Sequence, residues 1–87
     1  MAWANRLLLR ILHVLRGTAD ADVPFDDPRR LLRRLGFEER IRGSHHIFRK
    51  PGVEEKLNLQ RDDGKAKVYQ VRQVRAVILK YRLGDQE

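Results

Sequence analysis

The sequence predicts an α+β domain in which helices pack on a three-stranded antiparallel sheet. Apolar residues recur at helical spacing before and after a central region, whose own residues alternate between apolar and polar as they do in strands. Turns that contain glycine divide this central region into three short runs. A chain of 87 residues has the length of one small domain, so we predict a single domain over residues 1–87.

The first 17 residues are predicted to form an extra N-terminal amphipathic helix. Its apolar side chains, from Trp3 to Leu15, recur at three- and four-residue spacing, and Gly17 is typical of a helix end. Because the apolar stripe is wide for a helix on so small a domain, it would pack across the core, meet another protein or contact lipid. Its arginines interrupt the apolar run, so this segment is not expected to span a membrane.

Two further helices are predicted within the rest of the chain. Asp26-Asp27-Pro28 is typical of a helix start, with an aspartate cap and a proline in the first turn, and Gly36 is placed to end that helix. After a polar loop at residues 61–64, apolar residues return to helical spacing from Val68. This last helix is expected to stop at Gly84, which leaves residues 84–87 as a frayed tail.

The strands are predicted from alternation and turns in the middle of the chain. Residues 37–42 alternate, Gly43-Ser44 turns the chain into residues 45–50, and Pro51-Gly52 forms the next turn. Leu57-Asn58-Leu59 is the centre of the third strand. An antiparallel meander is the simplest sheet that these runs can form.

Two consecutive histidines begin the second predicted strand. Successive side chains on a strand point to opposite faces, so His45 shares a face with Ile47 while His46 shares one with Phe48. Alternation alone does not tell which face is covered. Imidazole has an ordinary pKa of about 6.5 and is the usual general acid or base. The plainer interpretation is that of partly buried polar residues in a strand.

The charge of the chain suggests a polyanionic partner. Lys and Arg number 19 against 12 Asp and Glu, a formal net charge of +7, and eight of the cations lie between Arg29 and Lys50. Nucleic acid is the default partner of so basic a domain, although an acidic protein fits the same number. The arginine run of the second predicted helix is either a solvated face or a contact for phosphate.

Several kinds of site are not predicted. The chain has no cysteine, which excludes disulfides and thiolate metal sites and permits a reducing cytoplasm, the location that we expect. It has neither a glycine-rich phosphate loop nor a His/Asp/Glu set with metal spacing. We therefore expect no metal, no cofactor and no membrane contact as part of its activity.

Two motifs together carry a resemblance to a known family. Leu31-Leu32-Arg33-Arg34-Leu35-Gly36-Phe37, followed by Gly43-Ser44-His45-His46-Ile47-Phe48-Arg49, resembles the HicA family of toxins. The resemblance covers residues 24–83 and implies an α-β-β-β-α core like that of a double-stranded-RNA-binding domain. It also implies an endoribonuclease that cleaves mRNA, in a type II toxin–antitoxin system, and a HicB-like antitoxin as partner.

The resemblance implies roles for individual residues. The family's catalytic histidine directly follows Gly-Ser, which corresponds to His45. RNA carries its own nucleophile in the 2′-OH, so a histidine that moves protons and cations that hold the phosphate suffice without a metal. The residues expected to bind RNA are Arg42, Ser44, Arg49, Lys50, Lys65 and Lys67. Departures from the family lie at Leu57-Asn58-Leu59-Gln60 and at Ala66-Lys67-Val68-Tyr69.

Two other functions compete with this one. A non-catalytic RNA-binding module of the same fold would hold the RNA backbone by its shape and charge, with an affinity that falls steeply with salt. A pure interaction protein would use its basic faces and first helix to bind an acidic or apolar partner. Replacing His45 distinguishes these functions, because it would abolish RNA cleavage if the protein is the enzyme and would change little if it is the RNA-binding module.

Overall fold

A computed structural model describes residues 23–83, and the predicted helix at 1–17 and tail at 84–87 lie outside this range. The predicted α+β class and antiparallel sheet are confirmed. The elements follow in the order α1 (Asp26–Arg34), β1 (Glu38–Arg42), β2 (His45–Arg49), β3 (Leu57–Asp62), β4 (Lys65–Ala66) and α2 (Val68–Lys80).

The sheet has four strands in the order β1-β2-β3-β4, so the predicted count of three was wrong. The missed strand is only two residues long and pairs Lys65 with Asp62. Between them, Asp63 and Gly64 have φ values of 54° and 79°. Positive φ at both central residues is the mark of a type I′ hairpin turn, which Asp-Gly favours. The segment predicted as a polar loop is therefore a hairpin.

The turn before the histidines is a two-residue hairpin turn, as predicted. Arg42 pairs with His45 across the ladder, and Gly43 between them has a φ of 58°. A glycine with positive φ at the first central position is typical of a type II′ turn, whose twist matches that of the flanking strands. This turn fixes the pairing of β1 with β2 and therefore the faces on which the two histidines lie.

Helix α1 ends as predicted but begins differently. Gly36, with a φ of 96°, donates its N–H to the carbonyl of Arg33, and Phe37 donates to Leu32 at 3.0 Å. This pair of bonds is a Schellman motif, which satisfies the last carbonyls of the helix. The predicted aspartate cap is wrong, because the residue before the helix is Phe25 and no side chain caps it. Asp26 and Asp27 instead lie in the first turn, where negative charge suits the helix dipole.

Helix α2 begins at Val68 as predicted but ends at Lys80, before the predicted stop at Gly84. The left-handed position after the helix is taken by Arg82, which has a φ of 53°. A non-glycine residue in this region costs about 1 kcal/mol. Leu83, which follows, is buried in the core and holds the chain in place after the turn.

Both helices pack on one face of the sheet and leave the other face open. Phe48, Leu57 and Leu59 are fully buried on the covered face, together with Leu31 and Leu32 of α1. The buried residues of α2 are Gln70, Val71, Val74, Val77 and Ile78. On the open face β1 and β2 carry mostly exposed, polar side chains. Neither of these two helices is long and apolar enough to cross a membrane.

Gln70 is the one buried polar residue among residues 23–83, and it completes the edge of the sheet. Its side-chain oxygen accepts the backbone N–H of Gln60 at 2.7 Å, and its amide nitrogen donates to the Tyr69 hydroxyl at 3.3 Å. Because the pairing of β4 with β3 reaches only Arg61 and Asp62, no residue of β4 lies beside Gln60 to accept its N–H. The side chain of a helix therefore takes the place of a neighbouring strand.

Candidate functional site

The two histidines lie on opposite faces of β2 and have different surroundings. His46 shares the covered face with Phe48, and its side chain is 14% exposed. His45 shares the open face with Ile47 and is exposed. The helices cover only the face of His46, which resolves the choice that alternation left open. His45 is thus the histidine that a large substrate can reach.

Polar residues at four positions lie around His45, two of them on β3, one on β1 and one in the turn. The Nδ1 of its ring lies 3.3 Å from the Oδ1 of Asn58 on β3. Its direct neighbours across the ladder are Arg42 on β1 and Gln60 on β3. Gln60 in turn donates a side-chain hydrogen bond to the Ser44 hydroxyl at 3.4 Å. This arrangement places an imidazole, a guanidinium and neutral hydrogen-bonding groups around one exposed patch.

On the covered face, His46 belongs to a charged network centred on Glu39. The carboxylate oxygen Oε2 of Glu39 lies 2.6 Å from Nδ1 of His46 and 2.7 Å from Nε of Arg29, and Arg33 approaches the other oxygen at 3.8 Å. The ring of His46 also packs edge-on against Phe25, with centroids 4.8 Å apart. His46 therefore anchors β2 to β1 and to the helical layer.

Glu39 is ionised in this network although its side chain is only 7% exposed. Burial by itself raises the pKa of the carboxyl group, but hydrogen bonds from Arg29 and His46 outweigh this effect. The pKa of Glu39 consequently lies below its ordinary value. In the alternation of residues 37–42 Glu39 shares the parity of Phe37, but alternation gives no partner for its charge.

An open groove of about 870 Å³ runs along β1 and β2 and is lined mainly by cations. Two carboxylates also line it, and one of them is Glu39, which is already paired with Arg29. The groove is therefore a cationic surface. It reaches the neighbourhood of His45, because Arg42 lines one end of it and is the cross-strand neighbour of His45. The basic lining residues are Arg33, Arg40, Arg42, Arg49 and Lys56.

The structure brings only some of the predicted RNA-binding residues together with His45. Arg42 and Ser44 are its neighbours in the hairpin. Arg49 lies on the same face at the other end of β2, about 13 Å away along the strand. Lys50 follows the strand, and its ammonium lies against Gly36, where an added Cβ would be 2.7 Å from Nζ. These two cations are remote from the imidazole.

Lys65 and Lys67 lie near the opposite edge of the sheet. Lys65 lies on β4, where it pairs with Asp62 of β3 and shares the face of Gln60. Lys67 directly precedes α2. Both line a second open groove, of about 480 Å³, with Tyr69. Two strand spacings of about 4.8 Å each separate β4 from β2, so neither lysine adjoins His45.

Sequence reasoning missed two kinds of residue at this site, polar neighbours of His45 and cations of the groove. Asn58 and Gln60 were noted only as departures in the third strand, yet both lie beside His45 or its turn. Their signal was the alternation Leu57-Asn58-Leu59, which places Asn58 opposite the apolar face, but the pairing of β2 with β3 was needed to place it at His45. Arg40 and Lys56 of the groove were not selected because nothing in the sequence distinguishes them from other surface cations.

The described part of the chain contains no group of three His, Asp or Glu side chains that could hold a metal ion. The histidines diverge, as the sequence predicted, and Glu39 is occupied by Arg29 and His46. What the patch around His45 offers is proton transfer by an imidazole next to a cation that can bind an oxyanion.

Comparison with known proteins gives one match. The family model described as the HicA toxin of bacterial toxin-antitoxin systems matches residues 25–80. No curated protein and no solved structure matches the chain. The matched range begins just before α1 and ends with α2, so it includes both helices and the whole sheet.

Proposed function

Since the match over residues 25–80 makes the chain a member of the HicA toxin family, we propose that this toxin is a metal-independent endoribonuclease that cleaves mRNA, with His45 as the catalytic residue. A HicB-like antitoxin is proposed as the protein partner that silences it. The observation that carries the proposal is the position of His45, exposed on the open face of the sheet and paired across the ladder with Arg42.

The chemistry that fits this patch is attack by the RNA's own 2′-OH. A neutral imidazole of His45 takes the proton of the 2′-hydroxyl, and the oxygen forms a bond to the adjacent phosphorus. The bond from phosphorus to the 5′-oxygen of the next nucleotide breaks, the leaving oxygen takes a proton from water, and the imidazolium returns its proton to the solvent. Arg42, the cross-strand neighbour of His45 on the same face, would stabilise the charge that develops on the phosphate. The products expected are a 2′,3′-cyclic phosphate and a 5′-hydroxyl. One histidine is a small catalytic apparatus, so we expect slow turnover.

The basic groove supports RNA rather than a small substrate. Its five cations extend from the neighbourhood of His45 to the far end of β2, which suits several successive phosphates of one strand. Lys65 lies on β4, on the same face as His45, and Lys67 directly follows β4, so both would hold the RNA on the opposite side of His45. Binding through backbone phosphates positions the strand without specifying its bases.

The test of the reaction is cleavage of an RNA in EDTA, compared with the same RNA carrying a single 2′-deoxyribose at a mapped cleavage position. We expect cleavage in EDTA, loss of cutting at the deoxy position, and unchanged cutting elsewhere, because the nucleophile is missing only there. Cutting at the deoxy position, or cleavage only with added divalent metal, would contradict the mechanism. If the protein binds RNA but never cleaves it, the non-catalytic module with a fold like that of double-stranded-RNA-binding domains replaces this proposal.

The role of the groove is tested separately, by the salt dependence of the affinity for RNA. Replacing Arg42 or Arg49 by glutamine is expected to weaken RNA binding about equally for different sequences, and to reduce the slope of log affinity against log salt by about one. Arg30→Gln is the matched control, because Arg30 is exposed on α1 outside the groove and loses the same charge. An equal loss in all three variants would mean that net charge alone, and not the groove, binds RNA.

A further inference from the structure

The contact between His45 and Asn58 has a chemical consequence for the imidazole. Asn58 lies on β3, next to Gln60, the cross-strand neighbour of His45, and its Oδ1 is 3.3 Å from the ring's Nδ1. An amide oxygen can only accept a hydrogen bond. With Oδ1 facing the ring, this contact is a hydrogen bond in the neutral imidazole only when Nδ1 carries the hydrogen, which leaves the lone pair on Nε2.

We propose that Asn58 is the positioning residue of the site: it holds the neutral His45 ring in the form with hydrogen on Nδ1 and so assigns proton transfer to Nε2. The inference rests on the proposed ribonuclease function. It corresponds physically to the third member of a catalytic triad, which orients the base and selects its tautomer without touching the substrate.

The other groups near His45 do not supply this acceptor. Arg42, its neighbour on β1, is a cation without acceptor capacity. Gln60 directs its amide nitrogen to the Ser44 hydroxyl. The carboxylate of Glu39 lies on the opposite face of the sheet and is engaged by His46 and Arg29. Among the described residues around His45, Asn58 alone has its acceptor at the ring.

A neutral acceptor also suits a site for phosphate better than a carboxylate does. A carboxylate beside His45 would offset the charge of Arg42 and repel the phosphate that the groove attracts. An amide selects the tautomer without adding negative charge. Asn58 therefore orients the base and leaves the patch cationic.

The proposal is tested first without any substrate, by measuring the ¹⁵N chemical shifts of the His45 ring by NMR at a pH where the ring is neutral. In the parent protein and in Asn58→Asp, which keeps an oxygen at the same position, we expect hydrogen on Nδ1. In Asn58→Ala this preference should be lost. Gln60→Ala is the matched control on the same strand and face, and it should keep the parental tautomer. Hydrogen on Nε2 in the parent, or the same tautomer in Asn58→Ala, would overturn the proposal.

The second readout is RNA cleavage by the same four proteins. We expect Asn58→Ala to lower kcat about tenfold with KM within about twofold. Asn58→Asp should recover most of the loss in kcat, with a raised KM because its carboxylate repels the phosphate. An unchanged kcat in Asn58→Ala would overturn the positioning role even if the tautomer changes. If the parent itself does not cleave, the proposed function fails and the positioning role with it, whereas the NMR result shows independently whether the hydrogen bond exists.

Discussion

Replacing His45 by alanine is expected to lower the rate of RNA cleavage by about 10²- to 10⁴-fold, the range that a positioned general acid or base contributes. The side chain is exposed and its contact with Asn58 is at the surface, so the fold should be unaffected. RNA affinity should stay close to that of the parent, because the cations of the groove remain. Single-turnover cleavage, RNA binding and thermal unfolding of both proteins measure the three quantities.

The matched control is the neighbouring imidazole, replaced in His46→Gln. This variant removes a partner of Glu39 on the covered face and should lower the free energy of unfolding by about 1 to 2 kcal/mol. Well below its melting temperature it should still cleave RNA. A folded His46→Gln protein that is inactive, beside an active His45→Ala protein, would reverse the assignment of the two histidines.

The second large effect is expected at Glu39. Glu39→Ala should lower the free energy of unfolding by about 2 kcal/mol at pH 7, because it leaves Arg29 and His46 without the carboxylate that they share. The value is below that of a fully buried ion pair since the Arg29 side chain is 29% exposed and therefore partly screened by solvent. Urea denaturation of the variant and of the parent provides the measurement.

Glu38→Ala serves as the control for this change. Glu38 precedes Glu39 directly but is exposed, so its replacement should change the free energy of unfolding by about 0.5 kcal/mol or less. Equal effects of the two substitutions would mean that the network on the covered face contributes nothing beyond the change in net charge.

The pH dependence of stability follows from the same carboxylate. The pKa of Glu39 is lowered on folding, so its contribution is fully present above the ordinary pKa of a glutamate, about 4.3. The contribution is lost as pH falls through the lower, folded value. In urea titrations the gap between the parent and Glu39→Ala should therefore be widest near neutral pH and should close in acid. A gap that is unchanged down to pH 2 would contradict the assignment.

Features set by local rules could be predicted from the sequence. The stop at Gly36 and the turn at Gly43 depend on the backbone freedom of one residue and on its near neighbours, and both were found. The same kind of rule applied to Asp63-Gly64, but two residues are too few to show alternation, so β4 was missed. The end of α2 was misplaced because Arg82 takes the left-handed position that a glycine usually takes.

The candidate site could be predicted only as far as single residues. His45 was selected from a motif, but its surroundings depend on which strands pair and in which register. Asn58 lies 13 residues away in the chain and Glu39 lies 7 residues from the histidine that it binds. Such contacts depend on how the strands pair in the folded sheet, and the spacing of residues along the sequence does not predict them. The outward position of His45 likewise follows from where the helices pack.

The length of the two-residue turn between β1 and β2 determines which histidine lies on the open face. One residue inserted between Ser44 and His45, with the ladder kept, would move every later side chain of β2 to the other face. His45 would then lie where His46 meets Glu39, and His46 would be presented on the open face. Ile47 would replace Phe48 in the core. A single insertion would thus exchange the faces of the two histidines while the core position stays apolar. When sequences of this family are aligned, a gap at this hairpin therefore matters as much as a substitution.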